Sequence, residues 1–89
     1  TPSERLGDRV VSKTGVDVTE QFEKGALATL SLAQSFSVKA AVLKSNSPSC
    51  GSGTIYDGSF TGTLVPGDGV TAELLKKHGV RVTDENALL

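Results

Sequence analysis

The chain has 89 residues, a formal net charge of −1 and a single cysteine. A chain this short forms at most one domain, which buries only about two-thirds of the surface its unfolded form exposes. Its scattered basic residues leave no electrostatic footprint for nucleic acid, no apolar run reaches the length of a membrane span, and no basic start followed by an apolar run reads as a signal peptide. One cysteine makes no internal disulfide, so the cytoplasm is the expected compartment.

With aromatics at 4% and neither Trp nor Met, the core has to come from Val, Leu and Ala. Thr1 to Asp8 is polar and aperiodic and reads as a loop. Arg9-Val10-Val11-Ser12 and Val16-Asp17-Val18 flank Lys13-Thr14-Gly15, the length and glycine of a short hairpin connection. A helix start follows, with Asp17 or Thr19 as the capping residue. Phe22, Ala26, Leu30 and Ala33 recur at spacings of three and four, with Gly25 and Thr29 beside them, which predicts a helix ending near Ser35 that lays a narrow face against a sheet. Gly25 costs about 1 kcal/mol of helix propensity, a cost expected to be offset by close approach to a strand.

Val38 to Lys44 reads as the central strand. Ala40 to Leu43 is continuously apolar, as in a strand covered on both faces. The polar loop Lys44 to Gly53 leaves this strand and carries Cys50, the position at which open parallel sheets place their ligands. The glycines from Gly51 to Gly69 mark a long irregular segment of functional character, with a two-residue hairpin signal at Asp57-Gly58 between Ile55-Tyr56 and Phe60. Val70, Leu74, Leu75 and His78 predict a short helix from Gly69 to His78, capped by Asp68 and stopped by Gly79. Val80-Arg81-Val82 follows as a strand parallel to the central one, and Asp84 to Leu89 closes the chain as a turn or one helical turn. No internal repeat or low-complexity tract is present.

Cys50 admits several readings. It is a small buried hydrophobe, or a thiolate nucleophile whose base is the sole histidine, His78, on a helix where packing is the simpler role. It also stands beside Ser47, Ser49, Ser52 and the amides of Gly51 and Gly53, which with Lys44 have the makings of an anion nest, and hence of a small-anion or nucleotide-binding module without catalysis. As a ligand of an iron-sulfur site it would be one thiolate where several are usual.

The residues that narrow these readings are Asp17-Val18-Thr19 with Phe22, Gly25-Ala26 and Leu30; Leu43-Lys44 with Ser47-Pro48-Ser49-Cys50-Gly51; Ile55-Tyr56-Asp57-Gly58; and Gly67-Asp68-Gly69-Val70-Thr71-Ala72 with Leu74-Leu75 and Gly79. In this order and spacing, over almost the whole chain, they resemble the domain-of-unknown-function family 523, whose studied relatives are 2-thiouracil desulfidases with a 4Fe-4S cluster on three cysteines. The resemblance implies an α/β fold, a small Rossmann-like parallel sheet with flanking helices and a short N-terminal β-hairpin. It implies that Cys50 is the last cluster ligand, that Ser47 is a catalytic hydrogen-bonding or proton-handling group at a thiolated nucleobase, and that Lys44, Ser49, Tyr56 and Asp57 shape the substrate site. Family members carry two further cysteines upstream, the second in a Cys-Pro-Glu segment that also supplies an acidic residue. Thr1-Pro2 resembles the Thr-Pro just after that segment. Residues 1–89 are therefore expected to be a single partial domain, the C-terminal part of a desulfidase-like fold, incomplete at one sheet edge, binding no cluster alone, inactive as it stands, and able to self-associate through the open edge.

Overall fold

A computed structural model describes residues 2–88; Thr1 and Leu89, the outer ends of the expected first loop and last turn, lie outside the described residues. The chain runs β1 (Ser3–Leu6), β2 (Arg9–Ser12), α1 (Thr19–Ser35), β3 (Ala40–Leu43), β4 (Thr54–Tyr56), β5 (Leu64–Pro66), α2 (Val70–Lys77), β6 (Arg81–Asp84) and a 3-10 turn, Glu85–Leu88. The α/β class expected from the sequence is the one observed: a parallel β3-β6 pair, two antiparallel pairs β1-β2 and β4-β5, and two helices.

The N-terminal hairpin is present but differs in its strands. Ser3–Leu6, expected as loop, pairs with Arg9–Ser12 across a turn at Gly7-Asp8, with Glu4 opposite Val11 and Arg5 opposite Val10. The hairpin expected at Lys13-Thr14-Gly15 survives as a single Val11–Asp17 bridge, with Ser12 N–H donating to Val16 O at 2.8 Å. Polar Ser-Glu-Arg carries no strand period of its own, so only its partner makes it a strand.

α1 has the expected limits, yet neither candidate cap acts as its N-cap. Val18 occupies that position. Asp17 Oδ1 accepts the Thr19 N–H at 2.9 Å, while the buried Thr19 hydroxyl oxygen accepts the Val10 N–H at 2.7 Å and so joins the helix to β2. The buried face is Ala26, Leu30 and Ala33, with Phe22 half-buried. It meets α2 as well as β2, so the packing is helix on helix rather than helix on sheet alone. Gly25 is exposed, and a β-carbon there would meet nothing within 4 Å, so no close approach offsets its cost.

The core joins Leu30 and Ala33 to Ala72 and Leu75 of α2 and to Val80 and Val82, with Ala41, Leu43 and Leu74 packed at its margin. β3 and β6 run parallel, Ala40 opposite Arg81 and Leu43 opposite Asp84. The expectation that β3 is covered on both faces is corrected: Ala41 and Leu43 are half-buried, whereas Ala40 is exposed and Val42 is 53% exposed, because the described elements cover one face of the pair. The segment after Cys50 is more ordered than expected. β4 pairs with β5, Tyr56 opposite Leu64, so the hairpin signal is real but its connection runs from Asp57 to Thr63 rather than over two residues.

Candidate functional site

The Cys50 loop is built by α2. The carbonyl of Pro48 accepts the Val70 N–H at 2.8 Å, and that of Ser49 accepts those of Thr71 and Ala72 at 2.8 and 3.1 Å. Amides at a helix start lack intrahelical partners, and here a loop that needs anchoring provides them. Gly51 O accepts the Gly69 N–H at 2.8 Å, and the Ser49 and Thr71 hydroxyls pair at 2.8 Å. Gly53 N–H donates to Asp68 Oδ1 at 2.7 Å, and Lys76 Nζ reaches the same oxygen at 2.8 Å. Burial alone would push the Asp68 carboxyl up, but Lys76 and the Gly53 amide outweigh it and hold it below the usual range. Asp68 thus ties the loop to α2 instead of capping the helix, whose N-cap is Gly69.

This geometry bears on the anion-nest reading. The Gly51 amide donates to Ser47 O at 2.9 Å, the Gly53 amide to Asp68, and the Ser52 hydroxyl to Val82 O at 3.2 Å. Three of the donors that such a nest would offer an anion are therefore engaged within the protein. His78 lies past the far end of α2 from the loop, across an eight-residue helix of about 12 Å, and is exposed. It is not within reach of Cys50 as a base.

Beside the loop a groove of about 390 Å³ opens between the chain after β3, the end of β4 and the first strand. Lys44, Ser47 and Tyr56 line it, together with Asn46, Glu4 and Phe60. Ser47 connects the groove to the cysteine: its Oγ accepts the Cys50 N–H at 2.7 Å, which leaves the hydroxyl proton free to be donated elsewhere. Cys50 itself is a half-buried free thiol. Ser45 anchors the start of the loop, its amide and hydroxyl donating to Glu85 at 2.9 and 2.5 Å. The Ser45 hydroxyl above all, then the backbone amides and more distant Lys44, hold the Glu85 carboxyl below its usual range.

Two expected site residues sit apart from this groove. The Ser49 hydroxyl faces Thr71, and the Asp57 carboxylate accepts the Ser59 amide and hydroxyl at 2.9 and 2.5 Å, bonds that hold it below the usual range, while its side chain borders a different groove with Arg5 and Glu73. Glu4, Phe60 and Thr71 were not expected at the site. Thr71 belongs to the Gly-Asp-Gly-Val-Thr-Ala motif, which was visible; Glu4 carried no signal, since only its pairing in β1 brings it there.

The two interlocked loops, Ser47–Gly51 and Gly67–Ala72, both fall within residues 2–87, which match the family model described as 2-thiouracil desulfurase. The chain belongs to this family. Among its relatives, the uncharacterized protein YbbK of Bacillus subtilis is 51% identical over 80 residues, covering 90% of this chain and 53% of that protein. A solved structure described as a 4Fe-4S-dependent thiouracil desulfidase, TudS, superposes with a TM-score of 0.94 at 46% identity, covering 98% of this chain and 58% of that one. The chain thus spans somewhat over half the length of these two proteins. As a donor set for an iron-sulfur cluster, these residues do not suffice: the sequence has one cysteine, and among the described residues no three His, Cys, Asp or Glu side chains are grouped to hold a metal ion. No helix among them is long and apolar enough to cross a membrane.

Proposed function

We propose that residues 1–89 are the C-terminal part of a thiouracil desulfidase-like domain, supplying one thiolate, Cys50, and one wall of the substrate groove. The observation that supports this reading is Ser47, which lines a groove of small-molecule size while its Oγ accepts the backbone N–H of Cys50 three residues on. A thiolated pyrimidine offers a thiocarbonyl and a carbonyl as acceptors. Ser47, with its oxygen already accepting from Cys50, turns its proton toward such an acceptor, and Lys44 brings a positive charge to the groove rim. Tyr56 presents an aromatic wall. Ser49 and Asp57 serve the site indirectly, by holding the loop on Thr71 and the hairpin tip on Ser59.

One thiolate does not hold a 4Fe-4S cluster, so the remaining ligands come from polypeptide outside these residues, and the 89 residues by themselves turn nothing over. Anaerobic reconstitution with iron and sulfide, reading iron per chain and visible absorbance, tests this on the 89 residues and on the longest product of the gene. Expected is a cluster in the longer product alone, lost in Cys50→Ala, together with release of sulfide from 2-thiouracil. A cluster unchanged by Cys50→Ala, or none in either protein, would overturn the proposal.

A further inference from the structure

Three non-glycine residues among those described have a left-handed backbone, Ser37, Asn46 and Phe60, and the latter two line the same groove. Asparagine tolerates that conformation, but for a phenylalanine at φ +59° it is a strained state that persists only where the surroundings impose it. The surroundings here are specific. Glu4 Oε1 accepts the N–H groups of both Gly58 and Phe60 at 3.1 Å, reaching across from β1. Ser59 between them is tied to Asp57, and the Asp57 N–H closes the base of the loop on Thr63 O at 3.0 Å. Gly58, at φ +94°, lies so near β1 that a β-carbon would sit 2.9 Å from Leu6 Cβ and 3.2 Å from Arg5 O. A connection made of glycine, serine and threonine has no stiffness of its own, so the fold itself holds this aromatic residue in place.

The chain has one tyrosine, three phenylalanines and no tryptophan. In so aromatic-poor a protein, the tyrosine and one phenylalanine lining one groove of about 390 Å³ is a placement that packing does not require, since Phe60 is no part of the buried core. We infer that Phe60 is the specificity-determining residue on which a planar nitrogen heterocycle rests in this groove, and that Glu4 is the positioning residue that holds it there. This rests on the proposed desulfidase-like reading and narrows it: the site recognises the ring and not only the thiocarbonyl. Every base has a π-face, so the wall selects for a flat ring rather than for one heterocycle.

Binding to the product of the gene that carries these residues, followed by calorimetry, tests the inference with two probes, 2-thiouracil and thiourea, which share the thiocarbonyl and differ in the ring. Phe60→Ala weakens 2-thiouracil by about tenfold and leaves thiourea unchanged. Phe60→Leu, which retains apolar bulk without a π-face, does the same should the alanine variant fold poorly. Phe60→Trp retains the ring contact and adds a fluorophore at the groove. Glu4→Ala lowers 2-thiouracil affinity as Phe60→Ala does, whereas Glu4→Gln keeps it, because the amide oxygen still accepts both N–H groups. Undiminished 2-thiouracil binding in both Phe60→Ala and Phe60→Leu would overturn the inference alone. Equal damage by Glu4→Gln and Glu4→Ala removes the positioning role. No affinity of the wild type for 2-thiouracil removes this inference together with the reading beneath it, since the wild-type measurement separates the two cases.

Discussion

A β-carbon on Gly69 would stand 2.5 Å from the carbonyl oxygen of Ser49 and 2.6 Å from the Cys50 nitrogen. The helix that follows Gly69 can therefore engage the cysteine loop only because this residue has no side chain. Gly69→Ala forces the loop away from α2 and destabilises the protein by about 1–3 kcal/mol. Thermal denaturation checks it at about 4–8 °C per kcal/mol, and an unchanged midpoint would mean that loop and helix are not in contact as described.

Gly25 is the opposite case. It lies mid-helix and exposed, with open space where a β-carbon would go. Gly25→Ala stabilises by about 0.5–1 kcal/mol, through lower backbone entropy in the unfolded chain and better helix propensity. Urea unfolding reads the gain as a higher midpoint at constant slope; a lower midpoint would show that something packs there.

Thr71 is 4% exposed and its hydroxyl pairs with that of Ser49. Thr71→Val keeps the shape and leaves the Ser49 hydroxyl without that partner, a loss of about 1–2 kcal/mol. Thr71→Ser restores the pair, so it should recover that part of the loss which comes from the hydroxyl. If Thr71→Val costs nothing in equilibrium unfolding, the hydroxyl pair contributes nothing.

Asp68 joins Gly53 to Lys76 through one oxygen. Asp68→Ala removes the acceptor of both, at about 1–2 kcal/mol, and the local signature is faster hydrogen exchange at the Gly53 amide. Unaltered protection of that amide would contradict the tie.

Asp17 makes its bonds to Thr19 and to Arg9, the latter at 2.6 and 2.9 Å. Thr19 first and Arg9 second hold its carboxyl down from the ordinary 3.8 to about 2. The folded state thus favours the ionised form. Its contribution is complete above the unfolded value, falls as pH drops below about 4, and is gone below about 2. A carboxyl-carbon NMR titration should place the Asp17 midpoint well below those of exposed aspartates, and the stability difference between wild type and Asp17→Asn should close as the solution is acidified.

Much of this architecture is legible in the sequence. The three-and-four spacing of Phe22, Ala26, Leu30 and Ala33 sets α1, Val70 to His78 with Gly79 sets α2 within a residue at each end, and the strands expected at Ala40–Leu43 and Val80–Val82 form a parallel pair, the second displaced to Arg81–Asp84 so that Asp84, expected in the closing turn, belongs to β6. These signals are local, arising from side-chain periodicity and from the backbone freedom of glycine at φ +85°. The order of the motifs around Cys50, Ile55-Tyr56 and Gly67-Asp68-Gly69 was equally plain, and it carried the family.

Only the tertiary structure decided which groups meet. Ser3–Leu6 is a strand because β2 lies beside it, and through it Glu4 reaches Phe60. Side chains of one type go different ways: Ser47 to Cys50 at the groove, Ser49 to Thr71 beneath it, Asp57 to its own turn and Asp68 to the cysteine loop. A sequence specifies how many donors and acceptors a loop holds, but a hydrogen bond needs its partner within about 3 Å, and that distance is set by packing between residues far apart in the chain.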